Sequence, residues 1–427
     1  MQYAFVLGRV YTLSLAELFS YFQTHSIEVA IIDASPEVLV VEVKEQIDAQ
    51  KMQRELGGVV KILRIVDTVT KRENDSINFA LENYFKPSKM KTDFLKNYKG
   101  KIQFGVSTYL LDMNIKAFGE PKRLGMTIKR AMQDSGASIR LVLPEFNSLA
   151  LASVVVTKNL LLEKGAEICI LASTEKVYVA KTLAVQDFED YGRRDYQRPV
   201  RDDKQGMIPP KVAQLMLNFA ECKLGETMID PFCGIGTIVQ EGVLLGYRML
   251  GSDINANAIA GSEKNLEWFR NRYKIAKGKF HVETADAREC SKLVENLIKI
   301  GAFKSVSGVV TEGYLGPMYT KFPTPPDIER NFKELQELYT KAYQDFLKFL
   351  PSGGKVVICL PAYKRRDDYI FFPSLDFITN LGYNIVDLIP STLADSMPFL
   401  KLTERKTAVY DRKDQVVARE IVIFQKI

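Results

Sequence analysis

The run from Thr227 to Asp253 limits the possible folds of this chain more than any other stretch. Met228 and Ile229 end an apolar, strand-like segment, and Asp230-Pro231-Phe232-Cys233-Gly234-Ile235-Gly236-Thr237 follows as a tight turn. Ile238, Val239, Val243 and Leu244 then recur at helical spacing, Gly246 stands where a helix cap belongs, and Tyr247 to Leu250 reads as a second strand closed by Asp253. Strand, glycine turn, helix, strand and acid in this order open a parallel α/β sheet, whose ligands sit at the carboxyl ends of the strands. Gly234 and Gly236 carry no side chains, so a ligand can lie against the backbone there. Asp253 stands where a carboxylate can accept both hydroxyls of a ribose.

Position 239 is Val, so the turn is not the Gly-x-Gly-x-x-Gly of dehydrogenases, and it lacks the Gly-Lys-Thr/Ser of a phosphate loop. An adenosine without phosphates fits better than a pyrophosphate, which points to S-adenosylmethionine as cofactor. Here the sequence resembles the class I methyltransferases. More narrowly, it resembles the tRNA guanine-N2 methyltransferases that carry an N-terminal THUMP domain. The expected cofactor contacts are Pro209, Asp230, Pro231, Phe232, Cys233, Gly234, Gly236, Thr237, Asp253, Ile254, Asp286 and Ala287. Asp286 lies behind the third strand, in Thr284-Ala285-Asp286-Ala287-Arg288. The resemblance implies that it accepts from the adenine amino group, whereas the residue by itself reads as a turn or helix cap.

After the fourth strand comes Thr311-Glu312-Gly313-Tyr314-Leu315-Gly316-Pro317. Amino-directed methyltransferases place Asp or Asn, Pro, Pro, then Tyr or Phe here. An exocyclic amine has its lone pair spread into the ring. Two acceptors, the carboxylate or amide and the next carbonyl, bind its N–H groups, and the aromatic ring stacks on a base that has left its helix. Catalysis is then mainly alignment and electrostatics. The candidate catalytic residues are Glu312, Gly313 and Tyr314. They depart from the pattern: the carboxylate is one methylene longer, and the first proline is lost, which leaves the carbonyl less firmly aimed. Pro323, Pro325 and Pro326 read as a stiff loop at the rim of the site.

Net charge is only +6, so its placement matters more than its size. Lys86, Lys89, Lys91, Lys96, Lys99 and Lys101 form one basic group, Lys122, Arg123, Lys129 and Arg130 a second, and Arg193, Arg194, Arg198, Arg201, Lys204 and Lys211 a third. Any one of them can be a solvated face, but three upstream of an adenosine-binding half favour a polyanionic substrate. Lys122, Arg123, Arg193, Arg194, Arg198 and Arg201 are the candidate RNA contacts, with Asp195 and Asp202 steadying the arginines. The five cysteines show no C-x-x-C pair, which reads as reduced thiols and no zinc site. With His25 and His281 the only histidines, a His-based metal centre or triad is not expected. No apolar run reaches the length of a membrane span, and the N-terminus does not read as a signal peptide. A cytoplasmic protein is expected.

The fold class is α/β, with the Rossmann-like class I sheet at the C-terminal end, preceded by a ferredoxin-like module and a THUMP-like RNA-binding half. Residues 1–66 read as β-α-β-β-α-β, with Ser14 and Glu17 as a capping box. Residues 67–183 resemble a THUMP domain through Phe104-Gly105-Val106-Ser107 and the segment from Asn147 to Val156. Residues 184–205 form a connector that resembles the family's linker. Residues 206–427, opening at Gly206-Met207-Ile208-Pro209-Pro210-Lys211, form the methyltransferase domain. Helices are expected at 238–245, 255–272, 289–300, 328–349 and 373–381. The resemblance implies tRNA as substrate and the N2 amine of a guanine, commonly at position 10, as target. Two other readings stay open: a tRNA-binding protein that holds the cofactor without transfer, and an amino methyltransferase acting on another base or on DNA. The sequence also leaves open whether a small activator subunit is needed.

Overall fold

The computed structural model of the chain describes residues 1–72, 75–81, 83–95, 100–115, 120–201, 207–366, 368–412 and 415–427. Lys96, Lys99, Asp202, Lys204 and Gly206, named above, lie outside them. Contacts divide the chain into two units. The first is Met1–Leu15, Ile27–Glu189 and Met397–Leu400, and the second is Ala16–Ser26, Asp190–Ser396 and Lys401–Ile427.

The first unit holds β1 (Gln2–Leu7), β2 (Val29–Ala34), β3 (Val38–Val43), β4 (Val59–Thr70), β5 (Ile102–Leu110), β6 (Ile139–Val142), β7 (Gly165–Ala172) and β8 (Lys176–Val185). They form one sheet in the order β2-β3-β1-β4-β8-β7-β5-β6. The long β4 pairs antiparallel with both β1 and β8, so residues 1–66 and 67–183 contribute to a single sheet. Inside it, the Lys61 ammonium meets the Glu167 carboxylate and also donates to the Leu151 carbonyl at 2.7 Å. Ser107 and Thr182 hydroxyls donate to the same carboxylate at 2.6 and 2.7 Å, so both buried charges are paired and hydrogen-bonded. The expected capping box at Ser14 is not formed. The helix runs Tyr11–Thr24, three residues earlier, and the Ser14 hydroxyl bonds back to the Val10 carbonyl. Glu17 is buried and accepts from Asn218 Nδ2 at 2.8 Å.

The second unit holds β9 (Thr227–Asp230), β10 (Arg248–Asp253), β11 (Phe280–Thr284), β12 (Gly308–Thr311), β13 (Lys355–Lys364), β14 (Tyr369–Ile370), β15 (Tyr383–Val386), β16 (Ala408–Tyr410) and β17 (Val417–Lys426). The order is β11-β10-β9-β12-β13-β17-β15, with β14 on β13 and β16 on β17. β9 to β13 run parallel, and β17 enters antiparallel to β13. The chain winds outward from β9 through β10 to β11, then returns to β12 on the other side of β9. That reversal opens a crevice at the carboxyl ends of β9 and β12. β9 and β12 are buried throughout, as strands covered on both faces must be.

Most helices fall close to the expected places: Thr237–Leu244, Ala256–Tyr273 and Cys290–Lys299. The helix expected over 328–349 is Pro325–Phe346 instead. Pro325 and Pro326 therefore form its first turn rather than a rim loop, because a proline's fixed φ suits that position and its missing N–H is not needed there. Thr324 and Asp327 close a reciprocal capping box in front of it. The helix expected over 373–381 shrinks to Asp376–Thr379, and the connector 184–205 contains the helix Phe188–Tyr196. All five cysteines are buried and unpaired. Among the described residues no helix is long and apolar enough to cross a membrane.

Candidate active site

The site grows from the ends of β9, β10 and β12. Asp230 closes β9 with its side chain turned inward, where Oδ1 accepts the Thr311 hydroxyl at 2.7 Å and the Phe232 N–H at 3.2 Å. Burial pushes its carboxyl up to about 7, against the pull of those two hydrogen bonds. Asp230 is thus a brace between the ends of β9 and β12 rather than an exposed cofactor contact. Pro231 is buried beside it, Phe232 is half-buried, and its ring meets Tyr339 edge-on at 6.1 Å. The Cys233 sulfur packs inward against Gly251 of β10, and burial pushes its thiol well above the usual range.

The two glycines of the turn do different work. Gly234 has φ +51, and no atom lies within 4 Å of the point where a side chain would begin. Gly236 has φ +86, but a side chain there would start 2.4 Å from the Ser262 hydroxyl. The backbone face at Gly234 is therefore open, whereas Gly236 is required by helix packing. The Gly234 N–H donates to Asp253 Oδ2 at 2.9 Å, and the Asn255 N–H donates to Oδ1 at 2.9 Å. Two backbone donors thus aim the Asp253 carboxylate beside the open face. Ile254, next in the chain, is 69% exposed, an apolar side chain with no place in the core. Thr237 is buried, and its hydroxyl accepts from Arg198 Nη1 at 2.6 Å.

Asp286 follows β11 and takes the cap role that the residue by itself suggests. It caps the short turn Ala287–Glu289, accepting the Arg288 N–H at 2.9 Å, and the Arg288 guanidinium lies across its two oxygens. That hydrogen bonding lowers its pKa. Ala287 is buried beneath it. Pro209 precedes the helix Pro210–Phe219 at its N-cap position.

Glu312, Gly313 and Tyr314 leave the end of β12 together. Glu312 Oε1 accepts from Arg419 Nε at 2.5 Å. Arg419 stands on β17 with its side chain only 3% exposed, and its Nη1 donates to Gln415 Oε1 at 2.6 Å. Gly313 has φ +71, and a side chain there would start 2.7 Å from the Tyr339 hydroxyl. Proline, locked near φ −65, cannot occupy this backbone. The expectation of a loosely aimed loop is corrected by what holds it. The Gly313 N–H reaches Thr311 Oγ1 at 3.2 Å, the Tyr339 hydroxyl donates to the Tyr314 carbonyl at 2.6 Å, and Asn331 Nδ2 donates to the Leu315 carbonyl at 3.2 Å. Side chains of the helix Pro325–Phe346 replace the stiffness of a proline ring. The Tyr314 ring is 49% exposed, in the same loop as the exposed Met318 and Phe322.

The arginines of the connector divide. Arg194 is buried, with Nε on Glu241 Oε1 at 2.7 Å and Nη1 on Asp190, and Arg198 is buried beside Asp195 and Thr237. Neither side chain is offered to a phosphate, which corrects their reading as RNA contacts. A helix forms here, and it turns Arg194 inward to neutralise Glu241. Arg193 is part-exposed near Asp190, and Arg201 is exposed over the Tyr196 ring. Lys122 and Arg123 are exposed on the helix Glu120–Asp134, with Glu120 3.6 Å from Arg123. Sequence reasoning missed Arg419, Tyr339 and Asn331. The available signal was a charged pair, Arg419-Glu420, inside an otherwise apolar strand.

Together, the parallel order with its reversal beside β9, the open glycine turn and the strand-end acid define a Rossmann-like domain with its candidate site at the strand ends. Residues 198–369 match the UPF0020 family model, described as RMKL-like, methyltransferase domain. A tRNA (guanine(10)-N2)-dimethyltransferase of Methanothermobacter thermautotrophicus is 34% identical over 197 residues, 46% of this chain and 51% of that protein. A second, from Methanocaldococcus jannaschii, is 28% identical over 166 residues, 38% of this chain and 42% of its own. The matched region thus spans about half the length of these relatives or less. TrmN from Thermus thermophilus superposes over the full length of both chains with a TM-score of 0.54 at 13% identity, a likeness of fold.

Proposed function

We propose that the chain is a cytoplasmic methyltransferase that uses S-adenosylmethionine to methylate the exocyclic N2 amine of a guanine in tRNA, at position 10 as in the names of its relatives. The observation that carries this reading is the joined strand ends. The open face at Gly234 and the Glu312–Tyr314 loop are coupled through the Asp230–Thr311 hydrogen bond, so a cofactor on the first can face a base on the second. The residues present suit that cofactor. Asp253 offers a carboxylate to ribose hydroxyls, Ile254 an apolar shelf, and Asp286 an acceptor for an amino group. Bound there, the cofactor would supply an electrophilic methyl group.

The chain's own residues then orient the nucleophile. Glu312 accepts an N–H of the target amine, the exposed Tyr314 ring stacks on the base, and the fixed 313–315 backbone holds both at one distance. The proton shed after transfer passes to Glu312 or to water. In this reading the first unit supplies tRNA binding as a THUMP domain within 67–183, using Lys122 and Arg123, and Arg193 and Arg201 add contacts from the connector. The test is mass spectrometry of tRNA nucleosides after incubation with protein and isotope-labelled cofactor. Labelled N2-methylguanosine is expected. No labelled nucleoside in any tRNA would leave a binding protein, and a labelled DNA base in its place would shift the substrate.

A further inference from the structure

The Glu312–Arg419 pair carries more than orientation. Arg419 reaches Glu312 from inside the sheet and contacts Oε1, while the Glu312 side chain stays 21% exposed toward the loop. Among the described residues, the groups that act on the pair include Asp230 from β9, Tyr339 from the helix behind, Cys359 from β13 and Tyr410 from β16, none of them positively charged. Arg419 is the cation in contact with Glu312. The Arg419 guanidinium donates to Oε1 at 2.5 Å, which fixes the Glu312 carboxylate as a hydrogen-bond acceptor.

That restriction has a consequence for base choice. The Watson–Crick edge of guanine places the N1–H and N2–H donors side by side, so both can reach one carboxylate. Adenine and cytosine place a ring-nitrogen acceptor beside their amine, which would oppose lone pair to lone pair against the Glu312 acceptor. We propose that Arg419 is a positioning residue that holds Glu312 as an acceptor-only carboxylate, and that this pair selects a base edge carrying two adjacent N–H donors, that of guanine. The inference rests on the methyltransferase reading above and deepens it.

The probe is 2-aminopurine. It keeps the N2 amine that receives the methyl group but has an acceptor at N1 in place of the N–H. A tRNA carrying it at the methylated position, located first by nucleoside mass spectrometry, is compared with the guanine-containing tRNA in single-turnover assays. With the wild-type protein the 2-aminopurine substrate reacts at least about tenfold more slowly, the loss of one hydrogen bond made at the transition state. Glu312→Gln, whose amide can donate to N1, reacts more slowly with guanine, and its guanine to 2-aminopurine ratio falls toward one or inverts. In Arg419→Gln the ratio falls, because the donor that fixes the Glu312 carboxylate is gone. Arg419→Lys, which keeps the cation, retains a ratio near that of wild type. A general loss of structure would slow both substrates alike and leave the ratio unmoved. Equal wild-type rates on guanine and 2-aminopurine overturn the proposal even if neither Arg419 variant folds, and so does an Arg419→Gln ratio that stays at the wild-type value. Absence of any methylation by the wild-type protein is a separate result, and it would overturn the methyltransferase reading itself.

Discussion

Replacing each glycine of the turn by alanine separates packing from ligand approach. Both sit at positive φ, +51 at Gly234 and +86 at Gly236, so an added methyl costs about 1–2 kcal/mol in backbone strain at either position. At Gly236 the new Cβ would also stand 2.4 Å from the Ser262 hydroxyl, deep within ordinary contact distance. Relieving that overlap costs a further ~1–3 kcal/mol, for a total of ~2–5 kcal/mol. At Gly234 the methyl meets no protein atom within 4 Å, so the backbone term stands alone. The affinities are expected to run the other way. A methyl on the open face occupies cofactor space, and Gly234→Ala should weaken S-adenosylmethionine binding by at least about tenfold, or ~1.4 kcal/mol. Urea denaturation gives the stabilities and isothermal titration the affinities. The reasoning fails if Gly234→Ala binds the cofactor like wild type, or if it loses as much stability as Gly236→Ala.

Three further outcomes are expected. Arg194→Met leaves Glu241 buried without its partner, so denaturation should show a loss of about 3–5 kcal/mol, whereas Arg201→Met, at an exposed site, should leave stability nearly unchanged and weaken tRNA binding in a filter assay. Asp230, raised from 3.8 to about 7, binds its proton more tightly folded than unfolded. Its contribution is complete below about pH 4 and is lost as pH rises through about 7, and Asp230→Asn should flatten that part of a stability–pH profile. Tyr314→Ala should lower single-turnover methylation by roughly tenfold or more, the size of one base–aromatic stack, with cofactor affinity unchanged. A matched fall in cofactor affinity would move Tyr314 out of the base site.

Much of the second unit was legible because its signals are local. The Asp230–Asp253 run contains its strand, turn, helix and acid within one short stretch, and the structure places each where the spacing demands. The Glu312–Tyr314 loop was singled out by its resemblance to the amino-directed pattern, behind a short apolar strand. The misses are long-range. Arg419 lies 107 residues from Glu312, and nothing near it in sequence says which carboxylate it will meet. The arginines of the connector looked like phosphate clamps because their neighbours are charged. Their helix instead turns Arg194 onto Glu241, 47 residues away. Ser14 misled for a different reason: it has the chemistry of a cap, but burial of the helix's apolar face carried the first turn back to Tyr11. At Gly313 the missing proline was plain to read. The rings and amides that substitute for it come from a helix that begins after the loop has ended.

Gly313 also restricts where this sequence can go by single steps. Proline at that position demands a backbone that the present loop does not have, and any side chain meets the Tyr339 hydroxyl. A route to an Asp-Pro-Pro-Tyr loop would have to remake Tyr339 and its neighbours first, while the intermediates still fold. The unusual tripeptide is therefore an entrenched state, held in place by residues outside the loop itself.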